Sequence, residues 1–361
     1  MNKDLSKIHC IEKLSIFYFQ FISRMSKCQK LSNFNFEDLP YEILLKILSL
    51  LDINGVLLCG QISKRLRTIS NDQSLWSKVS IFGREVPYSL IEKAIQNGCE
   101  YLNLSFSCVH GGKKSEAPWK LKHLEISQSG DHEWAFEVPE GVLQNCYFLQ
   151  KLSVDNLMLN SYEIEQICQN GKTLQILSLE GCNIDFYSRC ELIEELFTKC
   201  HQLTELNICL AGESAILGNK ILLDLHVCAL VDNLSPNILK LQLGSQQSVG
   251  DKHVNTLVRR CNKITELDLS FTSITNESVE SICMHLNALE KLDVRYTDID
   301  FSTLLQLKTI PTLKVLRCFG HGIEDSEKIH NLKLELPDIS INEDGLFWAV
   351  IGEKVRKSAQ N

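Results

Sequence analysis

The sequence predicts an α/β fold: a solenoid with short parallel strands on its inner side and helices outside, preceded by a small all-α bundle. Three observations lead to this prediction. A short leucine-rich phrase returns at near-regular intervals from about residue 121 onward, the segments between these phrases carry helical spacing, and one very apolar helix precedes them all. We take the elements in chain order after the composition.

The composition is that of a folded chain with an acidic balance. Of 361 residues, 44% are hydrophobic and 23% are charged, which is too apolar for disorder, and the net charge is -8. General binding to nucleic acid or to an anionic membrane requires clustered Lys and Arg. We therefore expect neither nucleic acid nor a membrane as a partner.

Residues 1–34 are predicted to be a disordered N-terminal extension. The apolar run IHCIEKLSIFYFQFISRM is its only membrane-like feature, and the unbroken apolar part is far shorter than the roughly 20 residues that a spanning helix needs. A signal peptide fits poorly, because Glu12 and Lys13 precede a short apolar core.

The stretch FEDLPYEILLKILSLLD at 36–52 predicts a helix from about Tyr41 to Leu50, with Asp38 as its cap and Pro40 in its first turn. Its apolar residues form two stripes, which is wider than one packing contact requires. The next segment, VLLCGQISKRLRTISNDQSLW, predicts two short helices that close on Trp76. A bundle of this size is near the lower limit for independent folding, so either the solenoid end or a partner must cover one stripe.

The repeated phrase is leucine-rich. LKHLEI, LQKLSV, LQILSL, LTELNI, ILKLQL, ITELDL, LEKLDV and LKVLRC begin at 121, 149, 174, 203, 238, 264, 289 and 313. This spacing lies mostly in the range of about 20 to 29 residues that is typical of leucine-rich repeats. The longest interval, 203 to 238, indicates an insertion, and YLNLSF at 101 and KVSIF at 78 are degenerate early units.

Each unit is predicted to be strand, turn and helix. The alternating L-x-L predicts a strand, and phrases such as SYEIEQICQNG and NESVESICMHLN carry the i, i+3, i+4 spacing of helices. Stacked units form a leucine-rich-repeat solenoid of horseshoe shape, with the strands on the concave face. The predicted domains are the bundle at 35–80, the repeats at 81–338 and a C-terminal tail at 339–361.

The fifteen cysteines are interpreted as reduced core residues. No two are three positions apart, so no C-x-x-C pair exists to begin a zinc site, and we predict no metal and no cofactor. Cys146, Cys200 and Cys261 each lie three residues before the first apolar position of a repeat, where a small side chain packs well. Cys168 and Cys283, in helical phrases, are interpreted in the same way.

Strand alternation places two rows of side chains on the exposed concave face. Near the C-terminus these rows gather charged and aromatic residues, which we predict to be the substrate-binding site: Asp268, Asp293, Arg295, Tyr296, Arg317 and Phe319. The alternative is a solvated face whose arginines offset its aspartates. A register shifted by one residue would exchange every assignment.

The bundle resembles an F-box. The F-box pattern consists of LP-x-x-[IL]-L-x-x-I, a Leu-rich helix and D-x-x-LW, and it matches Leu39, Pro40, Ile43, Leu44, Ile47, Asp72, Leu75 and Trp76. Ile62 and Leu66 occupy positions where many F-boxes have Cys and Trp, and these apolar replacements are expected to preserve burial. The resemblance implies docking onto a Skp-type adaptor and, through it, a cullin-RING ubiquitin ligase. The residues expected to bind the adaptor are Leu39, Pro40, Ile43, Leu44, Ile47, Leu48, Leu51, Leu75 and Trp76.

The repeats resemble the F-box/leucine-rich-repeat family of S-phase kinase-associated protein 2, on the phrases PWKLKHLEIS, LSLEGC, HVNTLVRRC, ITELDLS, IPTLKVLRCFG and LELPDISIN. The resemblance implies a substrate-recognition subunit of a Skp-cullin-F-box ligase, acting in nucleus and cytoplasm on protein substrates. The family's targets include phosphorylated cell-cycle regulators, often held with a small cyclin-kinase-subunit protein. Arg295 matches a concave-face arginine of the family, whereas Leu210 and Gln247 depart from its pattern.

The sequence predicts no enzyme. It contains no G-x-S-x-G, Walker A loop, H-E-x-x-H or dinucleotide fingerprint. The expected role is a non-catalytic receptor. The alternative is a scaffold or inhibitor that uses the repeats alone, with the bundle serving as a cap.

Overall fold

The computed structural model describes residues 36–111, 118–128, 136–184, 191–210, 222–320 and 326–343. The predictions for residues 1–34 and for most of the tail lie outside these ranges. The chain divides into two compact units, Met1–Ile126 and Ser127–Asn361, each with its own internal contacts. The units are described in turn.

The bundle in the first unit consists of α1 (Tyr41–Leu48), α2 (Ile53–Ile62) and α3 (Lys64–Ser70), as predicted. Helix α1 ends two residues earlier than expected, because Ser49 caps it and its hydroxyl donates to the Lys46 carbonyl at 2.7 Å. The prediction of an Asp38 cap is wrong. Asp38 lies in a 3-10 turn, and Pro40, which has no side-chain donor or acceptor, occupies the capping position.

Helices α2 and α3 are capped by side chains and approach each other closely. Asp52 accepts a hydrogen bond from the Gly55 amide at 2.9 Å, and Ser63 accepts one from the Leu66 amide at 3.2 Å. A Cβ on Gly60 would lie 2.5 Å from the Ser70 hydroxyl oxygen, so a larger residue at this helix crossing would require the Ser70 side chain to shift.

The first unit also contains the earliest repeats, which confirms their assignment. Strands β1 (Lys78–Ser80), β3 (Tyr101–Asn103) and β5 (His123–Glu125) pair in parallel, and Val79, Leu102 and Leu124 are aligned and buried. A second pair, β2 (Glu85–Pro87) and β4 (Cys108–His110), and helix α4 (Tyr88–Gln96) complete the unit. Because β1 already pairs as a repeat strand, the array begins inside the range predicted as bundle.

The second unit contains eight parallel strands in chain order among its described residues. They are β7 (Lys151–Ser153), β9 (Ile176–Ser178), β11 (Glu205–Asn207), β12 (Lys240–Gln242), β13 (Glu266–Asp268), β14 (Lys291–Asp293), β15 (Val315–Arg317) and β16 (Ser340–Ile341). A smaller parallel sheet is formed by β6 (Phe136–Glu137), β8 (Leu157–Leu159) and β10 (Asn183–Ile184).

Helices separate these strands, as predicted. They are α5 (Ser161–Cys168), α6 (Glu191–Lys199), α7 (Asp224–Asn233), α8 (Asp251–Arg260), α9 (Asn276–His285), α10 (Phe301–Leu304) and α11 (Ser326–Glu335). Neighbouring repeats are also joined by side chains. The Asp251 carboxylate accepts hydrogen bonds from the Thr275 amide and hydroxyl at 2.9 and 2.8 Å, which ties α8 to the next repeat.

The predicted strand register is confirmed. Leu241, Leu267, Leu292 and Leu316 are Cα partners on successive strands and are almost completely buried. Since side chains alternate along a strand, the residues on either side of each leucine face the exposed side of the sheet. The shift by one residue, which would have reversed these faces, is excluded.

The repeat cysteines pack in the core. Cys146, Cys200 and Cys261 have no exposed surface, and Cys168 is buried as well, while Cys283 is half-buried. Burial raises the pKa of the Cys200 thiol to about 12 and that of Cys261 to about 11. These thiols are therefore protonated at neutral pH, as expected for packing residues.

The predicted start of the C-terminal tail at 339 is corrected by β16. Ile341 is the Cα partner of Leu316 and is buried, so residues 340–341 continue the repeat sheet. None of the described helices has both the length and the apolar content to cross a membrane.

Candidate functional site

The residues predicted to bind an adaptor divide by burial. Leu44, Leu48 and Trp76 have no exposed surface and Leu39 is 8% exposed. Their expected contact with an adaptor is therefore corrected: Leu39, Leu44 and Leu48 form the core of the bundle together with Cys59, Leu66 and Ile69, and Trp76 is buried outside that cluster. The Trp76 indole N–H donates to the Ser70 carbonyl at 2.7 Å, which satisfies the polar atom of this buried ring.

The other predicted residues remain accessible. Pro40 is exposed, Ile43 is 41% exposed, and Ile47, Leu51 and Leu75 are partly buried. Ile43 and Ile47 are one helical turn apart, and Leu50, 59% exposed, continues that spacing in the turn after α1. We call Ile43, Ile47 and Leu50 the apolar helix edge. Leu50 was missed because the predicted stripe continued to Leu51.

Two side chains near this edge refine the sequence interpretation. Tyr41 donates its hydroxyl proton to the Asp72 carboxylate at 2.6 Å, so the start of α1 is held to the loop that follows α3. Hydrogen bonds from Ser74 and from Tyr41 lower the pKa of Asp72. Ile62 is 51% exposed, which corrects its expected burial, whereas Leu66 is buried as expected.

The predicted substrate-binding residues lie together on three adjacent strands. Asp268, Asp293 and Arg317 are direct Cα partners on β13, β14 and β15. Arg295 and Phe319 follow two residues after these strand ends, and Tyr296 comes next after Arg295. Together with Glu266, Lys291 and neighbouring residues, the strand positions line a shallow depression on the exposed face of the sheet.

Arg295 is committed to an internal ion pair. Its Nε lies 2.9 Å from Asp293 Oδ1, and its Nη2 lies 2.6 Å from Asp293 Oδ2, so the guanidinium and the carboxylate meet in a bidentate pair. Arg295 is 9% exposed and Asp293 is 4% exposed. Arg317 adds an Nη1 at 3.7 Å from Asp293 Oδ2. The Nε and Nη2 donors of Arg295, which is predicted to bind substrate, are therefore directed at Asp293 within the fold.

Asp268 has a different environment. One carboxylate oxygen accepts a hydrogen bond from the Ser270 amide at 2.9 Å, and the other lies 3.7 Å from the Cys209 thiol. Within the described part of the chain, the ion pairs of this sheet face involve Asp293, Glu205 and Glu266, and none includes Asp268. Burial and the nearby Asp293 charge raise the pKa of Asp268.

Three aromatic rings follow the ends of these strands. Phe271 and Tyr296 stack with centroids 4.3 Å apart and planes 18° apart, and Phe319 meets Tyr296 edge-on at 5.8 Å. We call these three residues the aromatic strip. Phe271, which is 44% exposed, was missed by the sequence prediction, although aligning ITELDLSF with LEKLDVRY places it at the position of Tyr296.

The backbone holds this strip in an uncommon conformation. Phe271 and Tyr296 have φ values of 55° and 53°, in the left-handed region that aromatic residues rarely adopt. Gly320 has a φ of 102°, and a Cβ on it would lie 2.5 Å from the Tyr296 ring. The ring of Tyr296 therefore rests directly on a glycine backbone.

One group of possible metal ligands lies elsewhere in the second unit. Asp224, Cys228 and His253 place their ligand atoms within 4.8 Å of one another. However, His253 Nδ1 accepts a hydrogen bond from the Gly250 amide at 3.1 Å, which assigns the proton to Nε2, the nitrogen that faces Asp224 and Cys228. His226 accepts from the Leu223 amide in the same way. We interpret both histidines as helix caps.

Comparisons with family models agree with this architecture. A model described as the SKP2 LRR domain matches residues 89–351, and a model described as F-box-like matches residues 36–81. Among solved structures, an internalin from Listeria monocytogenes str. 4b F2365 aligns over 80% of this chain and 94% of its own, with 16% sequence identity and a TM-score of 0.45. Because the SKP2 LRR domain model matches well over half of the chain and the F-box-like model precedes it, this chain belongs to the F-box/leucine-rich-repeat family of SKP2.

Proposed function

We propose that this chain is the substrate-recognition subunit of a Skp-cullin-F-box ubiquitin ligase. The F-box binds a Skp1-type adaptor, and the exposed sheet face of the repeats binds protein targets for ubiquitin-dependent degradation. An F-box domain implies an adaptor and a substrate, and the SKP2-type repeats supply a surface for the substrate. The family relation extends the proposal to nucleus and cytoplasm and to cell-cycle regulators as targets.

The observation that carries this proposal is the apolar helix edge. The core of the bundle is formed by Leu44, Leu48 and their buried neighbours, yet Ile43 and Leu50 remain 41% and 59% exposed. Complete burial of one such side chain contributes about 1.5 to 3 kcal/mol, so a small edge can support stable docking. Adjacent exposed apolar residues of this kind are typical of protein interfaces.

The mechanism of such a receptor is proximity. Holding a target close to a ubiquitin-loaded enzyme raises its effective concentration, so the receptor itself needs no catalytic group. The chemical step belongs to other subunits of the complex. On this view the chain contributes two binding surfaces.

The adaptor surface is tested with Ile43→Asp combined with Leu50→Asp in a pull-down with recombinant Skp1-type adaptor. We expect the double variant to lose adaptor binding while its thermal unfolding midpoint stays close to the parent value, because both side chains are accessible. Met284→Asp is the matched control, since Met284 is 71% exposed on α9 of the other unit. Undiminished adaptor capture by the double variant would refute the proposal.

The degradation role is tested in cells by depleting the chain and following bound proteins by cycloheximide chase. We expect at least one captured protein to become longer-lived, and to return to its original half-life when the parent chain is restored. The variant that combines Ile43→Asp with Leu50→Asp should not restore the original half-life. If no captured protein changes its half-life, the scaffold alternative is favoured instead.

A further inference from the structure

We infer that the sheet face from β13 to β15 binds a peptide segment with a basic side chain next to an apolar one. The basic group pairs with Asp268, and the apolar group packs on the aromatic strip. This inference deepens the proposed function and rests on it, because the segment would belong to a target protein.

The first step concerns charge. Asp268 and Asp293 are opposite each other on neighbouring strands, where like charges repel. Asp293 has Arg295 and Arg317 as ion-pair partners, whereas no ion pair among the described residues includes Asp268. Asp268 accepts hydrogen bonds from Ser270 and lies 3.7 Å from the Cys209 thiol, and the charge of Arg295 acts on it without an ion-pair contact. A cation from a partner would give Asp268 an ion-pair partner, which Asp293 already has.

The second step concerns access to Asp268. Gly244 lies beside this carboxylate, and a Cβ there would be 3.2 Å from Asp268 Oδ2, 2.9 Å from the Ser270 hydroxyl and 3.1 Å from the Cys209 sulfur. Because residue 244 is glycine, it places no side chain over this carboxylate, and Asp268 is half-buried rather than enclosed. Asp268 also lines the shallow depression of the sheet, so a side chain from a partner can reach it.

The third step concerns the sign of the ligand charge. An anionic ligand such as phosphate would need guanidinium donors, but Nε and Nη2 of Arg295 are directed at Asp293, and Nη1 of Arg317 lies 3.7 Å from the same carboxylate. Bringing an anion near Asp268 and Asp293 would add to their repulsion. The geometry therefore favours a basic group at this point over an acidic one.

The fourth step concerns the aromatic strip. Stacked rings that stay accessible can pack against apolar side chains and attract cations over their faces. Phe271 is three residues after Asp268, so the two lie no more than about 10 Å apart along the chain. An extended peptide covers this distance within a few residues, which lets one segment contact both.

A second exposed aromatic pair provides a natural control. Phe106 has a φ of 60° and is 42% exposed, close to the values for Phe271, and its ring lies 4.9 Å from that of Phe82. Its strand carries Asn103 where the strand of Phe271 carries Asp268, and the neighbouring Glu125 accepts hydrogen bonds from both Asn103 and Tyr101 at 2.9 Å. This second pair therefore has exposed rings, but its neighbouring carboxylate, Glu125, is already bound by two donors.

The test is selection of short random peptides, displayed on phage, against the full chain bound to its adaptor. We expect the enriched peptides to carry Lys or Arg within a few positions of an aromatic or aliphatic residue. In fluorescence anisotropy with the most enriched peptide, Asp268→Asn and Phe271→Asn should each weaken binding roughly tenfold or more. Asparagine is chosen at 271 because it tolerates a positive φ.

The controls separate this site from general effects. Phe106→Asn removes a ring of equal exposure, and Glu205→Gln removes a carboxylate that is already paired with Lys240 at 3.1 Å, so both should leave peptide affinity unchanged. The inference is overturned if the enriched peptides are acidic, if their binding survives Asp268→Asn, or if no peptide is enriched. In each of these cases, adaptor capture by the same preparation still tests the proposed function independently of the peptide site.

Discussion

The F-box bundle and the C-terminal sheet face differ in the feature that motivates a proposed binding role. In the bundle the core is closed, and the informative residues are apolar side chains that remain outside it, Ile43 and Leu50. On the sheet face exposure is ordinary for a polar residue, and the distinguishing residue is Asp268, which is in no ion pair among the described residues, whereas its neighbour Asp293 pairs with Arg295 and Arg317. Exposure motivates the proposal for the first region, and the unequal charge pairing does so for the second.

The largest effect should come from Trp76, the fully buried ring that follows the bundle helices. Trp76→Ala removes a fully buried ring and the hydrogen bond to Ser70, so we expect a loss of about 3 to 5 kcal/mol in the free energy of unfolding. Chemical denaturation followed by circular dichroism measures this loss. Ile43→Ser should change the free energy of unfolding little. Equal losses for both variants would contradict the division into buried side chains and an exposed edge.

The second largest effect should come from the internal ion pair of the sheet face, formed by Asp293 and Arg295. Asp293→Ala leaves the Arg295 guanidinium buried without its carboxylate, and we expect a cost of about 3 kcal/mol. Glu205→Ala removes a carboxylate whose pair with Lys240 is partly exposed, so its cost should stay below about 1 kcal/mol. Similar costs for the two variants would mean that Arg295 is not held as tightly as its contacts indicate, and that it remains available to targets.

The sequence predicted the parts of the structure that depend on periodicity. The leucine register and the row of Asp268, Asp293 and Arg317 follow from the alternation of side chains along a strand, and the structure confirms both. Repeat alignment could also have identified Phe271, which occupies the position of Tyr296. Ring exposure, however, does not follow from the pattern.

The remaining errors of the sequence prediction concern which side chains are buried and which charged side chains pair with each other. The division of the apolar stripes between Leu44, which is buried, and Leu50, which is exposed, depends on where α1 ends. The pairing of Arg295 with Asp293 depends on rotamers and on burial, which sequence spacing does not determine. The sequence therefore predicted which of these side chains lie together on the sheet, and the structure added which charges pair with each other. That a target binds there stays a prediction.

A smaller effect is expected where the aromatic strip rests on the backbone. Gly320→Ala introduces a Cβ that meets the Tyr296 ring and also strains a φ of 102°, so we expect a loss of about 1 to 3 kcal/mol. Gly98→Ala is the matched control, because Gly98 has a φ of 84° but no atom within 4 Å of an added Cβ. The difference between the two thermal shifts isolates the contact with Tyr296, and equal shifts would exclude it.

The smallest effect, with the opposite sign, is expected at Asp268. Burial and the charge of Asp293 raise its pKa, so the folded state holds the proton more tightly than the unfolded state. The ionised carboxylate thus opposes folding, and stability falls as the pH rises through the folded-state pKa. We expect Asp268→Asn to raise the thermal midpoint slightly at neutral pH and to lose this advantage below the ordinary carboxyl pKa.

Asp251 provides the reference of opposite sign for this pH series. Burial alone would raise its pKa, but hydrogen bonds from Ser278 and Thr275 outweigh burial and lower it, so Asp251→Asn should destabilise the chain at neutral pH and less so in acid. Opposite pH trends for the two variants would show that Asp268 is kept at a cost to stability, as expected for a binding residue. If Asp268→Asn instead destabilises at neutral pH, its carboxylate already has a favourable partner within the fold, and the contrast with Asp293 disappears.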